Sequence, residues 1–245
     1  MTEGDWPDVA AVYDAVASDY ADQFEGELAG KPSDHQLLDE FALVTADQGP
    51  VWDVGCGPAG HITRFLADRE VAVVGCDISP GAVAEARRRQ PGLDFRVADL
   101  RRLPVPDRSL AGIVAFYSLV HLRRAELPGA LAEFRRVLKP TGALLIAMHA
   151  TDGAFSESED VPQPGDAGEI VSTEFLGHRV EHRVTLVHLR EFTAIVSGAG
   201  FGDLGYQYRG PYPGEYPTQR LYVQAGPRRP DYLDPADWLR RAASG

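Results

Sequence analysis

Three glycines and one carboxylate in the stretch Val51-Trp52-Asp53-Val54-Gly55-Cys56-Gly57-Pro58-Ala59-Gly60-His61 carry the first chemical signal of this chain. A short apolar run ends in an acid and a glycine-rich turn. It then opens into an amphipathic pattern with Ile62, Phe65 and Leu66 on one face. The spacing Gly55-x-Gly57-x-x-Gly60 is that of the dinucleotide fingerprint, in which a pyrophosphate sits at a helix N-terminus. Asp53 argues for another ligand. A carboxylate two residues before the first glycine repels a pyrophosphate and attracts a cation.

Two further acids follow at the ends of strand-like runs. Val71-Ala72-Val73-Val74-Gly75-Cys76-Asp77 is apolar throughout and ends in Asp77, 22 residues after Gly55. An acid there suits a ribose diol, which offers two hydroxyl donors, and it occurs in NAD enzymes as well. Leu93-Asp94-Phe95-Arg96-Val97-Ala98-Asp99-Leu100 alternates and ends in Asp99. That acid suits the exocyclic amine of an adenine, with Leu100 against the ring. Asp53, Asp77 and Asp99 would together ring a cationic nucleoside. S-adenosylmethionine, with its sulfonium and ammonium, is such a ligand. The competing reading makes each acid a helix or turn cap.

With these segments in view, the chain resembles the class I S-adenosylmethionine-dependent methyltransferases, of the small stand-alone kind. The resemblance runs from about Tyr13 to about Ala225. Its carriers are Asp53-Val54-Gly55-Cys56-Gly57, Gly75-Cys76-Asp77-Ile78-Ser79, Val97-Ala98-Asp99-Leu100, Phe116-Tyr117-Ser118-Leu119-Val120-His121 and Arg136-Val137-Leu138-Lys139-Pro140-Thr141-Gly142. Many members read Gly-Cys-Gly-x-Gly, whereas here Ala59 precedes Gly60, so the local turn departs from the pattern. The resemblance implies S-adenosylmethionine as cofactor. It implies cofactor contacts from Tyr20, Asp53, Gly55, Cys56, Gly57, Asp77, Ile78, Asp99, Leu100, Phe116 and Tyr117.

Composition fits this. The chain has 245 residues, 44% of them hydrophobic, enough for one α/β domain with additions. No apolar run reaches membrane-spanning length, and Met1-Thr2-Glu3-Gly4-Asp5 lacks the basic-then-apolar form of a signal peptide. Cys56 and Cys76 lie at neighbouring strand ends, where a disulfide would distort the glycine turn and two ligands are too few for a metal. Reduced thiols, a cytoplasmic protein and no metal are expected. The net charge of −12 disfavours nucleic acid, because counterion release needs basic surface. The pairs and triplets of arginine from Arg87 to Arg229 are short and scattered, as solvated helix ends are.

The elements that must position these residues alternate strand and helix. A helix is expected over about Pro7 to Phe24, with Val9, Val12, Tyr13, Val16, Tyr20 and Phe24 on one face. In the resembled family such a helix lies over the cofactor, and its tyrosine can close the pocket. A linker follows, with Lys31 either reaching the cofactor carboxylate or simply exposed. Ser33 and Asp34 then cap a helix through about Ala46. Strands are expected at Val51, Val71, Leu93, Leu110–Tyr117 and Ala143–Met148, with Ser79-Pro80 opening one helix and another over Leu127–Leu138. A strand near Val180–Leu189, a helix near Glu191–Ser197 and two strands near Leu204–Arg209 and Gln219–Gln224 complete the chain. The expected fold is α/β: a doubly wound, mostly parallel seven-stranded sheet with an antiparallel edge strand and an N-terminal helical cap. The cap spans 1–48 and the core 49–226, with a lid loop at about 150–167. A tail covers 227–245, and the whole is one structural domain.

Methyl transfer from a sulfonium asks mainly for positioning and exclusion of water, with a base where the acceptor is a hydroxyl or protonated amine. The candidate bases are His149, directly after the fifth strand, and His121, just past the fourth, each weighed against a packing role. His182 and His188 share strand parity, and a metal site there is disfavoured. Arg220 and Tyr222 alternate on one strand face, either toward the acceptor or in an edge salt bridge. The sequence reading is methylation of a small-molecule acceptor by a monomer or homodimer without nucleic-acid or membrane partners. A protein or peptide methyltransferase, a non-catalytic S-adenosylmethionine-binding module and an NAD oxidoreductase stand as alternatives.

Overall fold

A computed structural model describes residues 8–151 and 168–226. The expected lid loop, apart from 150 and 151, and the tail lie outside the described residues. Helix α1 covers Val9–Phe24, and the Asp8 side chain caps it by accepting from the N–H groups of Ala10 and Ala11. Helix α2 covers Pro32–Thr45. It starts one residue before the expected Ser33 cap, because Pro32 occupies the first turn, where its missing N–H costs nothing. Asp34 is thereby released from capping and turns inward.

The core then alternates: β1 (Val51–Val54), α3 (His61–Ala67), β2 (Val73–Asp77), α4 (Pro80–Arg89), β3 (Asp94–Val97), β4 (Leu110–Phe116), α5 (Leu127–Val137) and β5 (Leu138–Ala150). Ser79 caps α4 by accepting from the Ala82 N–H at 2.8 Å. After β5 come β6 (Glu169–Ser172), β7 (His182–Thr185), α6 (Leu189–Gly198), β8 (Gly205–Arg209) and β9 (Gln219–Ala225).

Seven strands form one sheet in the order β3-β2-β1-β4-β5-β9-β8. The first five run parallel, β9 pairs antiparallel with β5, and the edge strand β8 pairs antiparallel with β9. The strand expected near Val180–Leu189 is shorter and leaves this sheet: β7 pairs with β6 in a two-stranded ribbon. His188 falls beyond β7 at the N-cap of α6, so it does not share a strand face with His182.

Alternation in the strands builds two cores. Trp52, Ile113, Ala115, Ile146, Leu221 and Val223 pack against Leu131 and Phe134 of α5 and Phe192 of α6. Val51, Val114, Leu145, Ala147 and Tyr222, of opposite parity, pack against Leu38 and Phe41 of α2 and Phe65 of α3. Among the described residues no helix is long and apolar enough to cross a membrane.

Candidate cofactor and acceptor site

The strand order reverses between β1 and β4, and a cavity of about 210 Å³ opens there at the C-terminal ends of the strands. Gly55 and Gly57 from the β1 turn, Asp77 and Ile78 from β2, Asp99 and Leu100 beyond β3, and Phe116 and Tyr117 from β4 all line it. Tyr20 and Tyr13 of α1 roof it, and His121 stands on its wall.

Gly55, Gly57 and Gly60 have φ of +77°, +63° and +59°, a backbone conformation that favours glycine. At Gly55 a Cβ would also fall inside Ser118 Cβ, so the cradle closes with any side chain. Asp77 ties the turn to β2: Oδ2 accepts from the Gly57 N–H at 3.0 Å and Oδ1 from the Ser79 N–H at 3.0 Å. Burial raises the Asp77 carboxyl above the usual carboxylate range, against the pull of these N–H donors. Helix α1 is fastened above by Asp14, whose Oδ1 accepts from the Gly81 N–H at 2.7 Å and the Ser79 hydroxyl at 2.5 Å. Tyr20 lies over Gly57, 3.6 Å from where a Cβ would stand.

The structure does not bring every expected residue to the cavity. Asp53 is 1% exposed behind the glycine turn, where Thr63 Oγ1 donates to its Oδ2 at 2.6 Å. Burial raises its carboxyl to about 6. Cys56 is buried with Val83, Ala86 and Phe95 beneath the turn, and Cys56 and Cys76 are both free thiols. Asp99 lines the cavity but is already engaged: Arg101 donates to it from Nε, Nη2 and the backbone N–H. Against burial, which raises it, Arg101 holds this carboxyl below the ordinary range.

The two histidines differ. His121 lines the cavity, with Nε2 2.8 Å from the Tyr13 hydroxyl and Nδ1 3.2 Å from the Arg183 carbonyl. Burial and the neighbouring His182 push it down to about 3. His149 is set back from the cavity wall, behind Tyr117, at 5.1 Å between ring centroids. Its Nδ1 lies 2.7 Å from Thr218 Oγ1, and burial, then the Arg220 charge, hold it well below 6.5.

Behind Tyr117 lies a polar cluster that sequence spacing did not disclose. The Tyr222 hydroxyl donates to Asp34 at 2.9 Å and accepts from Arg209 Nε at 2.9 Å. Arg209 pairs with Asp34 and with Glu215, and Lys31 pairs with Glu27 and Glu215. Lys31 is thus tied to two carboxylates rather than exposed or turned toward the cavity. Arg220 and Tyr222 do share a face of β9, but that strand is interior and both side chains are buried. Tyr117 itself sits at φ +53°, a strained setting for a non-glycine residue. Ser118 Oγ is buried at the cavity and makes no hydrogen bond. Asp8 and Glu126 also line the cavity, and their sequence surroundings offered no motif that would have marked them.

Residues 51–142 match a family model described as a methyltransferase domain. The chain is 34% identical over 160 residues to the malonyl-[acyl-carrier protein] O-methyltransferase of Serratia marcescens, covering 64% of this chain and 55% of that one. It is 34% identical over 144 residues to the demethylmenaquinone methyltransferase of Beutenbergia cavernae, covering 59% of each. It therefore spans a little over half the length of these curated relatives. Among solved structures, the DhpI–SAH complex superposes with a TM-score of 0.61 at 21% identity, over 89% of this chain and 96% of that one. Residues 51–142, set in the sheet built around them, thus match a methyltransferase domain and are similar to the S-adenosylmethionine-dependent enzymes.

Proposed function

We propose that the protein transfers a methyl group from S-adenosylmethionine to a small-molecule acceptor by in-line displacement, with S-adenosylhomocysteine as product. The observation that carries this is the charge of the cavity beside the glycine turn. Asp8, Asp77, Asp99 and Glu126 line it with Arg101 as the basic counterpart, a setting that favours a cation over a pyrophosphate. The cradle also suits the cofactor in shape: Gly55 and Gly57 leave the turn bare, and Ser118 Oγ offers an unused donor.

In this reading Asp77 accepts from the ribose hydroxyls, with its carboxylate already braced by two backbone N–H groups. Ile78 and Leu100 flank the adenine, and Asp99 receives the amine alongside Arg101. Phe116 and Tyr117 line the methionine end, and Tyr20 closes the roof over Gly57. Asp53 and Cys56 act from behind the turn, the first as a fixed negative charge and the second by packing. S-adenosylmethionine, when bound, supplies an activated methyl on a sulfonium. The chain's own contribution is to align the acceptor and keep water out. His121 is suited to position an acceptor through Tyr13. His149, behind Tyr117, is suited to hold the Thr218–Arg220 segment.

Small relatives such as the demethylmenaquinone enzyme and the acidic balance of the chain support a small-molecule acceptor. Release of S-adenosylhomocysteine from S-adenosylmethionine across a panel of small acceptors tests the reading. Turnover restricted to basic peptides would replace it with a peptide methyltransferase. Tight binding of S-adenosylhomocysteine without turnover on any acceptor would replace it with a binding module.

A further inference from the structure

The roof of the cavity has two seams, and they are built differently. Toward α4, helix α1 is held by charged and backbone partners. Asp14 accepts from the Gly81 N–H and the Ser79 hydroxyl, and Arg89, 14% exposed, donates to Asp22 and Glu25. Charge-assisted bonds of this kind are the stronger ones. On its other side α1 meets the tip of the ribbon, residues 173–181 between β6 and β7. The polar tie there is His178 Nε2 on Asp19 Oδ2 at 2.6 Å, with side chains 37% and 58% exposed, a setting in which an ion pair contributes little.

The remainder of this second seam is aromatic. Phe175 stands edge-on to Tyr13 and to Tyr20, 6.3 Å from each ring centroid, and stacks on His182 at 4.2 Å. Phe175 is not on the cavity lining but backs the two tyrosines that are. The tip is also the looser body. None of residues 173–181 is buried, whereas residues 184–187 at the base all are. The base is fastened to the core, where Thr185 Oγ1 donates to the Leu122 carbonyl at 2.6 Å and the Val187 N–H to the His149 carbonyl at 3.0 Å. A two-residue turn closes the tip on itself: Phe175 and His178 exchange both backbone hydrogen bonds, with Leu176 and Gly177 at φ of +51° and +80°.

We infer that α1 is the fixed half of the roof and this tip the moving half, and that Phe175 is a positioning residue that sets, through Tyr20, how fast S-adenosyl ligands enter and leave. This rests on the methyltransferase reading above, in which product must depart after every turnover. With the tip closed, Phe175 holds Tyr20 over Gly57. With the tip swung off its base, Tyr13 keeps its bond to His121, while Tyr20 loses the ring behind it and turns aside. Opening also returns His182 Nε2 to water. In the closed tip that nitrogen is buried and has no hydrogen-bond partner among the described residues, a cost that favours opening.

The test is surface plasmon resonance of S-adenosylhomocysteine on the full chain. In Phe175→Ala the association and dissociation rates are expected to rise together by about three- to tenfold, the worth of one aromatic contact, with Kd changed by less than about twofold. Phe175→Leu, which keeps most of the volume, is expected to fall between, and it carries the test if the alanine variant does not fold. Arg89→Gln, on the α4 seam, is expected to leave both rates unchanged. Hydrogen exchange reads which half moves: Phe175→Ala is expected to speed exchange at residues 173–181 and not in α1. A rise in the dissociation rate alone would make Phe175 a plain contributor to binding and overturn the inference, as would unchanged rates in both Phe175 variants. Faster ligand exchange in Arg89→Gln, or faster hydrogen exchange in α1, would make α1 the moving half and overturn it too. If the wild-type chain binds no S-adenosylhomocysteine, the methyltransferase reading fails and this inference falls with it.

Discussion

Replacing Asp53 by Asn should stabilise the folded protein, most strongly at alkaline pH. Asp53 is 1% exposed, and burial raises its carboxyl from 3.8 to about 6 although Thr63 Oγ1 donates to it. A folded-state value above the unfolded one means that the folded chain binds the extra proton, so stability falls as pH rises through that window. Linkage over this gap gives a penalty of about 3 kcal/mol at pH 8 and about 1 kcal/mol at pH 4.5. Asparagine removes the charge while its carbonyl still accepts from Thr63. The Asp53→Asn variant should therefore melt about 6–12 °C higher than wild type at pH 8, with the gap shrinking by more than half at pH 4.5. Thermal melts across that range read it directly. A variant less stable than wild type at pH 8, or a gain independent of pH, would refute the reasoning. The same charge lies behind the glycine turn, so its stability cost fits a role in drawing a cation there.

Gly55→Ala should abolish S-adenosylhomocysteine binding and lower the melting temperature, because the φ of +77° and Ser118 both forbid a Cβ. Gly202→Ala, with nothing within 4 Å, should do neither. Tyr222→Phe should cost about 1–3 kcal/mol in urea unfolding, since Arg209 Nε and the Tyr117 hydroxyl lose their buried acceptor. With His121 held down to about 3 and His149 well below 6.5, initial rates between pH 6 and 8 should show no histidine inflection. An inflection near 6.5 that disappears in His121→Asn would contradict the buried geometry.

The parallel part of the sheet was legible because most of its strands hold apolar runs bounded by polar residues, Gly or Pro; β1 to β4 fall close to those runs, and β5 contains the expected Ala143–Met148 but begins earlier, at Leu138. Part of the cavity lining was legible for the same reason: Gly55, Gly57, Asp77, Asp99 and Tyr117 each end or follow a strand, and topology gathers strand ends. Depth was not legible. Asp53 is not on the cavity lining although it is two residues from Gly55, because it is buried with its carboxylate on Thr63 of α3. Partners from distant segments were also hidden. Asp34 reads as a helix cap until β8 and β9 bring Arg209 and Tyr222 against it. His121 reads as a candidate base until Tyr13 and Arg183, from α1 and β7, claim both its nitrogens. A strand was expected near Val180–Leu189, but its partner β6 and their separate ribbon escaped notice, because one short strand pair leaves no periodicity beyond that of any short strand.

Calorimetric titration with S-adenosylhomocysteine, for wild type and Asp77→Ala and with NADH as the comparison ligand, tests the central claim most directly. The account predicts binding of S-adenosylhomocysteine and not of NADH. It also predicts a loss of about 1.5–3 kcal/mol, roughly 10- to 150-fold, when the Asp77 carboxylate is removed. Binding of NADH alone, or an unchanged affinity in a folded Asp77→Ala variant, would contradict it.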